Sequence, residues 1–188
     1  MGWMVFITIF VLLLMWGISI RNTIVRYFNA TKRAWAEVAN FEVQKAKILE
    51  NLEQILTQYT EFEQSTLEKV TALRQQILNL NLNSTDVSQL QYIEKLSQDL
   101  MKNLNVVVEN YPELKADQLY LKMMEEIQQQ NENVGAAITI FNRNVEEFNN
   151  TIQVFPNNLI NTLTLSKKPI RPFSDPILLK NFDYRPNF

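Results

Sequence analysis

Neither cysteine nor histidine occurs anywhere in the chain. The first absence excludes a disulfide framework, a thiolate metal site and a cysteine nucleophile. The second removes the commonest general base and the commonest metal ligand. Two of the three residue types that serve most zinc and transition-metal sites are therefore missing. Catalysis would have to rest on carboxylates, Lys, Ser or Tyr, so we expect no enzyme, no metal and no cofactor. Glycine is almost as scarce, with only Gly2, Gly17 and Gly135. A sheet needs more tight turns than three glycines allow. Proline is absent before Pro112 and then gathers late, at Pro156, Pro169, Pro172, Pro176 and Pro186. No basic stripe marks the body, and the net charge is -2, which argues against nucleic acid as a partner. Nothing in the sequence points to a small-molecule substrate.

What remains is rich in Leu, Gln, Glu, Lys and Ala, the composition of an all-α protein. Trp3 to Ile20 reads WMVFITIFVLLLMWGISI, with no charged residue. It is just long enough to cross the hydrocarbon layer. No Lys or Arg precedes it, and Gly17-Ile18-Ser19 is a poor cleavage site, so an uncleaved transmembrane anchor is expected rather than a signal peptide. Arg21, Arg26, Lys32 and Arg33 all follow the span, where anionic headgroups would meet them. The positive-inside rule then puts the N-terminus outside and the body in the cytoplasm. Trp3 and Trp16 stand near the two ends as interfacial aromatics.

Beyond the anchor, apolar residues recur at three-and-four spacing from Ile24 through Trp35, Val38, Phe41, Leu52, Ile55 and Leu73 to Leu80. No Gly or Pro interrupts residues 21–80. One long helix is expected there, with Glu42 and Lys45 breaking its stripe. Ser84, Thr85 and Asp86 are candidate N-caps, and Gln89 stands three after Asp86 as in a capping box. A second helix runs from there to YPELKAD, Tyr111 to Asp117, where Pro112 ends it and is tolerated in the first turn of the next. A third helix follows to Phe155-Pro156, then a short one over Asn158 to Leu165. The residues after it are Pro-punctuated, with Phe173, Ile177, Leu178, Phe182 and Phe188 able to dock. The expected organisation is an anchor (1–21), a long antiparallel helical bundle (22–165) and an extended Pro-rich tail (166–188). Short turns make neighbouring helices antiparallel, so the first and third should point away from the membrane. The stripe at Trp35 and Phe41 then has no partner in the first hairpin. Either the tail covers it or another subunit does.

Two clusters invite a chemical reading. Glu109, Glu125, Glu126, Glu132, Glu146 and Glu147 suggest a carboxylate-bridged metal, but such sites need Glu-x-x-His pairs, so a solvated acidic face is expected. Asn142, Asn144, Asn149 and Asn150 flank the third helix's apolar face. They are either surface amides or an interhelical network. Gly135, in mid-helix, is expected to mark a tight crossing.

The order of these segments resembles the LemA family. The likeness is carried by VENYPELKADQLYLKMMEEI (Val108 to Ile127) and FNRNVEEFNNTIQVFPNNLI (Phe141 to Ile160). RNTIVRYFNATKRAWAEV (Arg21 to Val38), Asn51-Leu52 and YTEFE (Tyr59 to Glu63) add to it. Several positions depart from the family pattern. Gln44, Lys45 and Glu50 stand where a basic pair and a proline are usual, and Phe141-Asn142 replaces Tyr-Asn. Phe62 stands at a frequent His, and the family's Arg near Ile138 is missing. The lost proline favours an unbroken first helix. The resemblance implies a bundle anchored in the bacterial cytoplasmic (inner) membrane, N-terminus outside, with no enzymatic activity established for the family. The function expected is a single-pass, non-enzymatic scaffold or adaptor that binds other proteins. The alternative is a self-assembling homo-oligomeric component of the cell envelope. Besides the bilayer, which would take residues 3–20, contact is expected through Trp35, Phe41, Tyr111, Pro112, Leu114, Phe141, Asn142, Phe155 and Pro156.

Overall fold

A computed structural model describes residues 2–58, 64–81 and 84–174. Among them there is no strand, as the composition predicted. The helices are α1 (Gly2–Leu56), α2 (Gln64–Leu78), α3 (Val87–Val107), α4 (Pro112–Ala116), α5 (Gln118–Gln153) and α6 (Asn157–Thr164). The chain forms two compact units. One comprises residues 1–34 and 139–172, the other residues 35–138 and 173–188.

The second unit corrects the expected first helix. It does not run to Leu80. α1 ends at Leu56, with Gln58 N bonded to Ile55 O in a tightened last turn, and α2 begins at Gln64. Arg74 on α2 reaches back to Glu50 and Glu53 on α1, both at 3.3 Å, and Thr71 Oγ1 donates a short bond to Glu53. The partner of the later residue is the earlier one, so the two helices are antiparallel. The physical reason lies in α2's own stripe. Thr66, Val70, Leu73 and Ile77 are buried only because the chain doubles back. Burying each of the three aliphatic side chains is worth about 1.5–3 kcal/mol, which a continuing rod would forgo. Tyr59 and Phe62, expected in the stripe, lie outside the described residues.

The remaining turns follow local chemistry. Asp86 caps α3 as predicted, accepting from Gln89 N at 3.0 Å. Tyr-Pro ends α3's run, but α5 does not start at Pro112. A 3-10 turn (Val108–Asn110) and the short α4 come first. Asp117 then caps α5, its Oδ1 accepting from Leu119 N (2.7 Å) and Tyr120 N (3.1 Å). An extended Tyr111 and Pro112 at the first helical position make the corner, and Leu114 plugs it, fully buried.

The split of the first helix adds a reversal, so α5 runs the other way from the direction expected. In the first unit, Thr31 Oγ1 donates to Asn144 O at 3.1 Å, and the Phe28 and Phe148 rings meet at a tilt, their centroids 5.5 Å apart. Farther toward the N-terminus, Gly17 lies beside Ile160. α5 therefore descends alongside α1 toward the apolar segment. Ile20, Ile24, Phe148 and Ile152 form the core there, with Tyr27, Phe28, Ile160, Leu165 and Ile170 packed around it. Within this unit the stripe at Ile20, Ile24 and Phe28 is thus covered by the second half of α5 and the residues that follow it.

The tail from Ser166 to Ser174 is neither helix nor strand. Two asparagines hold its first part. Asn161 exchanges two bonds with Lys167 (2.9 and 3.0 Å), and Asn149 does the same with Ile170 (2.8 and 2.9 Å). In the second unit, Phe173 is buried and Gln91 Nε2 donates to Ser174 O at 2.6 Å. Ile177, Leu178, Phe182 and Phe188 lie outside the described residues.

Candidate functional site

The largest departure from the hydrophobic pattern sits in the core of the second unit. On α1 the buried register runs Val38, Glu42, Lys45, Leu49, Leu52, Leu56, at alternating steps of four and three. Two of those six core positions are charged. On α3 the equivalent positions are Glu94 and Ser97, and on α5 Asn131 falls between Ile127 and Val134. The five polar residues meet.

Lys45 and Glu42 are fully buried, Glu94 and Ser97 nearly so. Lys45 Nζ lies 3.2 Å from Glu42 Oε1, 3.2 Å from Glu94 Oε1, 3.1 Å from Asn131 Oδ1 and 3.4 Å from Ser97 Oγ. Ser97 in turn donates to Asn131 Oδ1 at 3.2 Å. The ammonium has only three protons. Four acceptors surround it, so its donor capacity is used up. Burial alone would drive the amine toward neutrality, but Glu94 and Glu42 outweigh it and hold Lys45 above its ordinary value.

The two carboxylates differ. Burial pushes Glu42 up to about 8, against the pull of Lys45 and with repulsion from Glu94 adding to it. Glu94 is pushed up by burial too, but Lys45 and the bonds from Glu42 and Lys45 leave it below its ordinary value. The geometry agrees. Glu42 Oε2 is the nearer oxygen to Nζ, at 3.0 Å, yet it forms no aligned hydrogen bond. A proton on Glu42 lets that carboxyl donate to Glu94. The neutral-pH cluster is then one ammonium, one carboxylate and one carboxylic acid, with no net charge in the buried core. As arranged, it can hold one proton and fix the register of α1, α3 and α5. A saturated ammonium offers no lone pair for covalent chemistry. Among the described residues no group of His, Cys, Asp or Glu could hold a metal ion.

The nine contact residues read from the sequence do not converge. Trp35 is buried, its Nε1 donating to Asn81 O at 3.3 Å, and Phe41 is half-buried on the same helix. Tyr111, Pro112 and Leu114 share the corner between α3 and α5, and of the three Pro112 alone is exposed. Phe141 is a core residue of the first unit. Asn142 is half-buried in a shallow groove of about 520 Å³ shared with Asn149, Asn150 and Pro172. Phe155 is 78% exposed and Pro156 half-buried, at the cis peptide between α5 and α6. Asn149 clamps the tail rather than another helix. A Cβ on Gly135 would meet nothing within 4 Å, so no tight crossing explains that glycine.

The LemA family model matches residues 34–173, about three-quarters of the chain. The chain belongs to the LemA family. Protein LemA of Metamycoplasma hominis is 30% identical over 141 residues, which cover 74% of this chain. They cover 63% of that relative, so this chain spans under two-thirds of its length. All five residues of the polar cluster and the Tyr-Pro corner fall inside the LemA match, whereas the apolar run does not. That run stands on its own composition. It is the start of a helix long and apolar enough to cross a membrane, and none of that stretch is buried by protein.

Proposed function

We propose that this LemA-family chain is a single-pass, non-enzymatic membrane adaptor. Its N-terminus lies outside, and its helical body stands in the cytoplasm at the inner membrane and holds other proteins there. Orientation is supported by Arg21, Arg26, Lys32 and Arg33, all on the C-terminal flank of the span. The non-enzymatic reading is supported by the use of Lys45, the buried cation among the described residues, as a saturated structural group.

The observation that carries the adaptor reading is at the α3–α5 corner. Val106 (69% exposed), near the end of α3, and Leu119 (53%) and Leu121 (51%), in the first turn of α5, leave large apolar side chains exposed on the helices that flank the Tyr-Pro motif. Large apolar side chains left exposed on helix ends are candidates for docking a partner. The test is cross-linking capture from native membranes with the wild-type chain and with Val106→Lys/Leu119→Lys. The same proteins should be recovered repeatedly with the first and lost with the second. Recovery that does not depend on the corner refutes the surface, and no reproducible recovery refutes the adaptor.

The same exposed corner would serve the second reading, a homo-oligomeric envelope component. Light scattering in mild detergent, corrected for the micelle, separates the two. A monomer removes the oligomer reading. An oligomer that falls apart on Val106→Lys/Leu119→Lys replaces the adaptor with it.

A further inference from the structure

The short helix α6 is built inside out. Asn161 is buried, with both ends of its amide satisfied by the Lys167 backbone. Leu159 and Leu163, four apart and so on one face, are 52% and 79% exposed. The turn before the helix adds Val154 (52%) and Phe155 (78%). One exposed leucine needs no explanation, but four large apolar side chains outward with the amide inward reverse the pattern of a water-facing helix.

The position of α6 identifies what covers that face. A Cβ on Gly17 would lie 3.6 Å from Ile160 Cδ1. Gly17 is inside the apolar run, three residues before Ile20, hence about 4.5 Å below its end at the helical rise. α6 is therefore packed against the edge of the segment that crosses the bilayer. The chain then turns back at Ser166, and the Asn161 and Asn149 clamps fix Lys167 and Ile170. Ile170 packs on the core of Ile20 and Ile24, and Lys167 Nζ sits 3.9 Å over the Phe28 ring. Lys168 and Arg171 point to solvent in the same stretch. Three cations from the tail thus join Arg21 and Arg26, a layer of positive charge just beyond a layer of exposed apolar groups. That is the order of an acyl–headgroup boundary. A second copy fits poorly, because residues 1–36 and 148–174 contain no Asp or Glu and pairing this face would oppose like charges.

We propose that α6 and the turn before it form a second, non-spanning membrane contact. Val154, Phe155, Leu159 and Leu163 enter the acyl boundary of anionic phospholipid, and Lys167, Lys168 and Arg171 meet its phosphates. This rests on the reading that residues 3–20 span the bilayer. The bundle is then held to the membrane at two points rather than by one helix alone.

The absence of cysteine makes the test clean. Leu163→Cys, Leu13→Cys and Leu78→Cys are each labelled with a bimane in the full-length chain. The proteins are placed in nanodiscs of phosphatidylcholine with phosphatidylglycerol. Quenching is read with a nitroxide lipid and with aqueous iodide. The label at Leu163 should be quenched by the lipid and several-fold less by iodide than the label at Leu78. Removing phosphatidylglycerol, or introducing Lys167→Gln/Lys168→Gln/Arg171→Gln, should shift the Leu163 label toward iodide. Full iodide quenching at Leu163 with lipid quenching at Leu13 overturns the proposal and leaves the span intact. No lipid quenching at Leu13 overturns the span itself. Protection of Leu163 from both quenchers means protein covers α6, which also overturns the proposal. Lipid quenching at Leu163 that ignores both phosphatidylglycerol and the three substitutions overturns the assignment of the cations to phosphates.

Discussion

Glu42→Gln tests the proton bookkeeping of the buried cluster. In the folded chain burial raises this carboxyl to about 8, from an ordinary 4.5. The folded state therefore binds one more proton than the unfolded state between those two values. Stability from this group is complete below about pH 4.5 and is lost as pH rises through about 8. The slope is close to one proton, about 1.4 kcal/mol per pH unit, or about 3 kcal/mol between pH 5 and pH 7. The neighbours act outside this window. Glu94, held below its ordinary value, contributes stability that is lost only as the solution becomes more acidic than pH 4.5. Lys45, held above 10.5, loses its contribution only in alkali. Gln at position 42 keeps a donor for Glu94 and an acceptor for Lys45 but binds no proton. The measurement is urea unfolding of the full chain in mild detergent from pH 5 to pH 8. In a Trp3→Phe/Trp16→Phe background it can be followed by Trp35, which is buried in the same unit. The variant should match the parent near pH 5 and exceed it increasingly toward pH 8. Parallel curves would refute the neutral Glu42 and with it the charge assignment of the cluster.

Three further outcomes follow from the same geometry. Lys45→Met alone strands Glu94 as an unpaired buried charge and should cost about 3–5 kcal/mol in the urea assay, while Lys45→Met/Glu42→Leu/Glu94→Gln recovers most of it. Gly135→Ala should stabilise by about 1 kcal/mol in the same assay, because the new methyl meets nothing within 4 Å and the helix loses its most flexible residue. Asn149→Ala removes the acceptor of Ile170 N–H, so amide exchange at Ile170 should accelerate well beyond any change in the core of the second unit, and unchanged protection there would refute the clamp.

The helices were legible because their signals are local. A 3.6-residue stripe, an Asp86 cap and a Tyr-Pro corner act within a few residues, and the structure keeps all three. The break between Leu56 and Gln64 was not legible, because a helical period looks the same on both sides of it and the intervening sequence lacks Gly and Pro. That single miss reversed the direction of α5 relative to α1 in the first unit. The polar cluster left a partial trace. Glu42 and Lys45 visibly interrupt the stripe, and Glu94, Ser97 and Asn131 occupy core positions of their own helices. Sequence periodicity places each on a face but carries no information about which levels of three helices coincide. Only the fold brings them within 3.4 Å of one ammonium.

Both compact units break the rule that apolar groups go inside, and the difference between the two violations is informative. In the second unit charge is buried, and the protein itself supplies the compensation: Glu42, Glu94, Ser97 and Asn131 all offer Lys45 an acceptor. Such a layer is neutral in energy at best, since apolar side chains of similar size would fill the space as well. What it adds is selectivity, because α1, α3 and α5 can slip by a turn in an apolar seam but not past a cation that must meet partners on two other helices. In the first unit apolar groups are exposed, and among the described residues none covers Leu163 or Phe155, at 79% and 78% exposure. A violation compensated from within marks a device of the fold. One left open, beside a helix that is itself apolar all round, marks a change of solvent. By that criterion the boundary between lipid and water that we propose for α1 continues over α6.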